Sequence, residues 1–154
     1  MKTKAIILFF ALQSLSLDFH GQSTQMVSEE EFISICKTIS ELEVIREAGL
    51  IDDYDGEQTL FFHDIKLCLS QSSTVYKDGL QLKIWHFQDL FVYDINHWIG
   101  FLEISTHDTE CMVEIRSGSS NKSHSDKPII GGTLTFKFAD GQLKLISEDV
   151  EFVE

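Results

Sequence analysis

The chain has 154 residues, of which 43% are hydrophobic and only one is proline, so its composition is that of a folded domain, not of a disordered tail. Twelve Lys and Arg side chains stand against 25 Asp and Glu, giving a formal net charge of −13. A field of this sign repels nucleic acid and anionic lipid, so the sequence predicts no nucleic-acid partner and no membrane partner for the mature chain. It attracts basic proteins, although the same charge is equally expected of a domain that only has to stay soluble.

The first residues have the pattern of a secretory signal. Lys2 and Lys4 precede the apolar run Ala5 to Leu17, and small and polar residues follow it. The 13-residue run is shorter than the roughly 20 apolar residues that span a bilayer. We therefore expect residues 1–22 to be a signal peptide, cut between 21 and 24, and residues 23–154 to be one exported domain, periplasmic or extracellular.

The segment from Val27 to Gly49 predicts one long helix. Ser28 and Glu31 have the spacing of a capping box, which marks a helix start. Gly49 stands where a helix-ending glycine is expected. Between them, apolar residues recur at three- and four-residue steps, the period of a helix with one buried face: Phe32, Ile35, Cys36, Ile39, Leu42 and Ile45.

The next segment is dense in carboxylates, with Asp52, Asp53 and Asp55 close together. Part of it matches a calcium-binding loop, but Ile51 and Phe62 stand where the first and the last calcium ligands belong. We therefore expect a solvated acidic turn that binds no metal. Its three Asp side chains are candidates for contact with a basic partner.

Beyond residue 57 the apolar period changes from helical to alternating, which indicates strands. Residues 80–84 alternate clearly, and Asp140-Gly141 is a dipeptide typical of two-residue hairpin turns. Counting outward from this turn pairs Phe138 with Leu143. The predicted fold class is α+β, with one long N-terminal helix packed on a curved antiparallel sheet of six to seven strands.

This element order resembles the cystatin-like and NTF2-like folds, in which a curved sheet wraps around an N-terminal helix. The resemblance covers most of the chain after the signal and rests on the order of elements. The inhibitory cystatin signature Gln-x-Val-x-Gly is absent, since residues 71–75 read Gln-Ser-Ser-Thr-Val. The resemblance implies a fold and carries over no catalytic residue.

Aromatic residues are concentrated between residues 85 and 101. Strand alternation places Trp85 on the face opposite Leu82 and Ile84, so this part of the sheet is apolar on both faces. Either both faces are covered, or one of them lines a groove for a ligand or partner. The candidate binding residues here are Trp85, Phe87, Phe91, Tyr93 and Trp98.

No sequence motif for catalysis is found, and no catalytic residue, metal ligand or cofactor is predicted. The adjacent pairs His63-Asp64 and His107-Asp108 are not expected to form a dyad unless the backbone bends, because neighbouring strand residues point to opposite faces. The cysteines are too few for a disulfide framework, and two arrangements stay open, one bridge with a free thiol or three buried thiols: Cys36, Cys68 and Cys111.

The features above favour a small acidic exported binding protein that engages a basic protein, as an inhibitor or an immunity-type protein. An alternative is an NTF2-like module that binds a small apolar molecule in an aromatic-lined pocket. A third interpretation, an enzyme that uses this pocket, needs an acid and a base that meet only in three dimensions.

Overall fold

The computed structural model describes residues 27–86, 89, 97–119 and 127–153, so the predicted signal lies outside the described residues. Within these ranges, two short helices precede eight strands. Their bounds are α1 (Glu29–Ser40), α2 (Glu43–Glu47), β1 (Asp52–Tyr54), β2 (Glu57–Asp64), β3 (Ser73–Lys77), β4 (Leu80–His86), β5 (Trp98–His107), β6 (Glu110–Gly118), β7 (Ile129–Ala139) and β8 (Gln142–Val153). The fold is therefore mostly β, and the prediction of an α+β fold with one long N-terminal helix is wrong.

Both ends of the predicted helical segment are confirmed. At the start, the backbone N–H of Ser28 donates to Glu31 Oε2 at 2.7 Å, and the N–H of Glu31 donates to Ser28 Oγ at 3.2 Å. At the end, Gly49 has a left-handed φ of 64°, and its N–H donates to the carbonyl of Arg46 at 3.0 Å. These caps act within a few residues, which is why the sequence alone reveals them.

The segment divides between the two caps, at Leu42. Two hydroxyls just before the break donate to carbonyls one turn back, Thr38 Oγ1 to Ser34 at 3.1 Å and Ser40 Oγ to Lys37 at 2.6 Å. Such bonds compete with the regular helix pattern. Leu42 is extended (φ −64°, ψ 135°) and is the N-cap of α2. Because Leu42 is itself buried, the apolar period continues through the break and does not reveal it.

The eight strands form one sheet in the order β3-β4-β2-β5-β6-β7-β8, and β1 pairs with β2. Strand β2 runs parallel to β4 on one side and to β5 on the other, whereas the remaining pairs are antiparallel. The sheet is mainly antiparallel, but the prediction of an antiparallel sheet of six to seven strands is wrong in the number of strands and in the direction of the pairs that β2 makes with β4 and β5. Side chains alternate in the same way in parallel and antiparallel strands, so the pattern does not give direction.

Three hairpins turn at Asp-Gly dipeptides in which both residues have positive φ, as two-residue type I′ turns require. The predicted turn at Asp140-Gly141 has φ values of 54° and 73°, and the predicted pairing of Phe138 with Leu143 is confirmed. The same geometry joins β1 to β2 at residues 55–56 and β3 to β4 at residues 78–79. The acidic segment expected as a turn is therefore a short hairpin.

The helices cover one face of the sheet, here called the inner face. Its core contains Phe32 and Ile35 of α1 together with Phe62 of β2 and Phe101 of β5, and the rings of Phe32 and Phe101 lie 4.7 Å apart. The opposite, outer face carries a second and smaller cluster around Phe61. Strand β2 is therefore buried on both faces, from residue 59 to residue 64.

Candidate functional site

The candidate site lies on the outer face of β1, β2 and β4. Phe61 and Trp85 point outward, because their neighbours Phe62 and Ile84 belong to the inner core. The rings of Phe61 and Trp85 meet edge to face with centroids 5.2 Å apart, and Tyr54 meets Phe61 in the same way at 5.2 Å. Trp98 of β5 also packs against them. We call the four residues the aromatic cluster: Tyr54, Phe61, Trp85 and Trp98.

Trp98 joins the aromatic cluster from the start of β5. Its ring meets that of His63 edge to face, with centroids 6.3 Å apart. The indole lies over Gly118 of β6, where an added Cβ would be only 2.7 Å from the indole Cζ2. Because Gly118 has no side chain, the indole of Trp98 can lie against the sheet at this position. The indole is half-buried and lies at the rim of the cluster.

Strand β1 places one carboxylate, that of Asp52, beside the aromatic cluster. Asp52 and Tyr54 are two residues apart in the strand and so share the outer face. Asp52 Oδ1 accepts from Lys127 Nζ at 2.5 Å. Asp53 Oδ1 accepts the turn N–H of residue 56 at 3.0 Å, and both Asp53 and Asp55 are exposed. Asp52 therefore lies on the face of the aromatic cluster, whereas Asp53, its neighbour in the strand, points to the opposite face and Asp55 lies in the turn.

A second ammonium group lies on the cluster itself. Lys83 Nζ is 5.4 Å from the centre of the Tyr54 ring, within the range of a cation–π contact. With Lys127 on Asp52, two lysines of the chain's own surface contact this site. One is attracted by an aromatic ring and the other by a carboxylate, so the site offers both kinds of contact that an ammonium group makes.

A hydrogen-bonded network borders the aromatic cluster on β2, β3 and β4. Gln81 Nε2 donates to Glu57 Oε2 at 2.7 Å and to the Tyr76 hydroxyl at 2.9 Å. Thr59 Oγ1 donates to Gln81 Oε1 at 3.2 Å, and the Tyr76 hydroxyl donates to Glu57 Oε2 at 3.2 Å. The network holds the Glu57 carboxylate in a fixed orientation at the exposed end of the outer face.

His63 is the titratable group inside the site. Burial lowers its pKa, and the Coulomb attraction of Asp64 partly opposes that shift. The Asp64 carboxylate itself accepts from the backbone N–H groups of Cys68 at 3.0 Å and Leu69 at 2.7 Å. These bonds tie Asp64 to the loop that follows β2, while His63 packs against Trp98.

The second adjacent pair, His107-Asp108, meets the condition under which a contact was expected, a bend in the backbone. Asp108 has a φ of 53°, so the backbone bends, and His107 Nδ1 lies 3.1 Å from Asp108 Oδ2. The two side chains are 91% and 84% exposed. A pair this exposed lacks the surrounding groups that would orient a general base, so its geometry does not indicate catalysis.

The three cysteines are free, two of them buried and Cys68 half-buried. Burial raises the pKa of Cys68 to about 12 and that of Cys111 to about 11, with Asp64 and Glu31 respectively as further causes. Burial also raises the pKa of Cys36 well above its ordinary value. A thiol is nucleophilic as the thiolate, so none of these groups is activated. Within the described ranges, no three His, Cys, Asp or Glu side chains are grouped to hold a metal.

Of the predicted site residues, the structure brings Trp85, Trp98 and Asp52 to the outer face, whereas Asp53 points to the opposite face of β1 and Asp55 lies in the turn. Phe87, Phe91 and Tyr93 lie outside the described residues. Sequence reasoning missed Tyr54, Phe61 and both lysines. The adjacent phenylalanines at 61 and 62 carried a usable signal, because neighbours in a strand must occupy opposite faces.

Among the described residues, no helix is long and apolar enough to span a membrane. Comparison of the chain with protein-family models, with curated proteins and with solved structures gave no match. The resemblance to cystatin-like and NTF2-like folds therefore stays a prediction, and function is argued from the site's own chemistry.

Proposed function

We propose that this chain is a small acidic exported protein that binds a basic segment of another protein, in the manner of an inhibitor or immunity-type protein. One observation carries the proposal: the outer face of β1, β2 and β4 already holds two of the chain's own lysines, Lys83 over Tyr54 and Lys127 on Asp52. A surface that attracts ammonium groups from its own chain suits lysine and arginine side chains of a partner.

The free energies of single contacts indicate what kind of partner could bind. An exposed ion pair contributes about 0.2–1 kcal/mol, and an exposed cation–π contact about 0.5–1 kcal/mol. Single contacts of this size do not give specific binding, so the partner must present several cations together. The exposed carboxylate of Glu57, which pairs with Tyr54 and so shares the outer face, extends the site in this way. The net charge of −13 would also steer a basic protein toward the chain and raise the association rate.

A small apolar ligand, the alternative from sequence, is supported less. Phe61 and Trp85 contact each other edge to face and are only 3% and 7% exposed. Their facing surfaces are therefore filled by each other. An apolar ligand needs a concave space lined by such rings.

The test uses a variant that removes charge but keeps the turn. Asp52→Asn/Asp55→Asn removes the outer-face carboxylate and the turn carboxylate, leaves Asp53 as the acceptor for the turn N–H, and Asn tolerates the positive φ of residue 55. The wild-type chain would first be used to isolate a stoichiometric basic partner from the exported proteins of its source at physiological salt. Calorimetry should then show that the variant binds this partner at least about tenfold more weakly.

The matched control is Asp108→Asn/Asp140→Asn, which removes the same charge from two exposed turn residues with positive φ, one between β5 and β6 and one in the equivalent Asp-Gly turn between β7 and β8. We expect it to bind as the wild type does. Equal weakening by both variants would reduce the interaction to nonspecific attraction by net charge. The absence of any basic partner would reject the proposal.

A further inference from the structure

Strand β8 is one edge of the sheet, and no described strand pairs with its outward side. It has 12 residues, about twice the usual strand length. The N–H and C=O groups along such an edge form a template for a further strand. The opposite edge, β3, has only five residues, so β8 is the longer place for strand addition.

A groove runs beside the beginning of β8. It has a volume of about 780 Å³ and lies between the first turns of α1 and residues 141–143 of the β7–β8 hairpin. On the α1 side its lining includes one cation, Lys37, and three consecutive carboxylates: Glu29, Glu30 and Glu31. A strand added along β8 would direct alternate side chains toward the helix side of the sheet, where the groove lies.

The second half of β8 is also acidic. Glu148, Asp149 and Glu151 are exposed, and because consecutive strand residues alternate in direction, carboxylates are present on both faces of the edge. Two copies of β8 would bring these carboxylates together, and like charges across a strand pair are destabilising. An added strand that carries cations would instead form favourable pairs along the same edge.

We propose that β8 takes up an extended, basic segment of a partner protein as an additional strand. Backbone hydrogen bonds would supply affinity, and lysine or arginine side chains opposite the carboxylates would supply selectivity. The inference goes beyond the proposed function, because three strands separate β8 from β2 in the sheet order. Binding at either surface does not depend on binding at the other.

The first measurement is amide hydrogen exchange by NMR, with a short capped peptide of alternating Lys and Val as the probe. Alternate amides of β8, those whose N–H groups point away from β7, should exchange at least about tenfold more slowly when the peptide is present. The amides of β3 serve as an internal control and should not change. If β8 amides are already protected in the chain alone, another segment or copy occupies the edge and the proposal is overturned.

Two N-methylated versions of the peptide separate strand addition from charge attraction. Each is methylated at alternate residues, in opposite phase, so both keep every charge while only one loses the N–H groups that face β8. We expect one version to lose protection of β8 and the other to retain it. Equal behaviour of the two would mean that no strand pairing occurs.

Charge variants locate the binding surface. Glu148→Gln/Glu151→Gln should weaken peptide binding at least about tenfold, whereas Glu43→Gln/Glu47→Gln, which removes two exposed carboxylates from α2, should not. The Asp52→Asn/Asp55→Asn chain should bind the peptide at β8 as the wild type does. If only the variant at the first hairpin weakens binding, the peptide occupies the outer-face site and the β8 proposal fails.

Discussion

The two halves of the sheet use their outer faces differently. In the antiparallel half, β6 alternates strictly, with Cys111, Val113 and Ile115 buried and Met112 and Arg116 exposed. In the half that contains the parallel pairs, β2 is buried at six consecutive positions. Strict alternation indicates that one face meets solvent. Burial does not alternate in β2, which shows that other side chains cover its outer face. These side chains belong to the aromatic cluster.

The largest expected effects compare the two sides of β2. Phe62 is fully buried and stacks near Phe101, so Phe62→Ala should lower the free energy of unfolding by about 3–5 kcal/mol. Phe61→Ala should cost less, about 2 kcal/mol, because the half-buried rings of Tyr54 and Trp98 can move into the space. Urea denaturation measures both values. Equal losses would make the outer cluster a second core and weaken its interpretation as a site.

A glycine pair tests the antiparallel half. Gly132 has a φ of 153°, and an added Cβ would be 1.9 Å from the backbone oxygen of Asp149. Gly132→Ala should therefore destabilise the chain by about 3 kcal/mol, because rigid backbone must move. At Gly131 the nearest atom is a methyl group of Val153 at 3.1 Å, which can rotate away. Gly131→Ala should lower the melting temperature far less, and equal losses would contradict this account.

His63, which lies in the outer-face site, should make the stability of the chain depend on pH. Because burial lowers the folded-state pKa of His63 below its ordinary value of about 6.5, the unfolded chain binds more protons than the folded chain between the two values. The free energy of unfolding should therefore fall as the pH is lowered from about 6.5. Chemical denaturation of His63→Gln at several pH values should show a smaller fall, and an unchanged slope would rule out this cause.

The smallest effect concerns the exposed face of the antiparallel half. Glu103 of β5 lies directly opposite Glu114 of β6, and like charges in this position repel. Glu103→Lys should stabilise the chain by about 0.5 kcal/mol, and Glu103→Gln by less. Added salt should reduce the difference between the two variants. If Lys and Gln stabilise equally, the repulsion has no measurable effect.

Signals that act within a few residues were readable from the sequence. The Ser28–Glu31 cap and the Asp140-Gly141 turn are of this kind, and both were predicted at the residues where they occur. The same dipeptide at residues 55–56 would have indicated the first hairpin. The break at Leu42 was not readable, because a buried residue in a non-helical conformation preserves the apolar period.

Only part of the candidate site could be predicted, because only some of its features depend on local sequence. Alternation predicted the outward direction of Trp85, and composition drew attention to the acidic segment. Their proximity depends on parallel pairing, which alternation does not specify. The contact between Lys127 and Asp52 joins residues 75 apart in the chain, and no local pattern encodes a contact of that range.

The parallel pairing of β2 also has a consequence for the order of folding. Two-residue turns join β5 to β6 and β7 to β8, so the loops that these pairings close are very short. The pairing of Phe62 with Ile99 must instead close a long loop across two intervening strands, and such contacts form late because of their entropic cost. We therefore expect the outer-face site to be completed near the end of folding. A partly folded chain would then present its hairpins to solvent before it could recognise a partner.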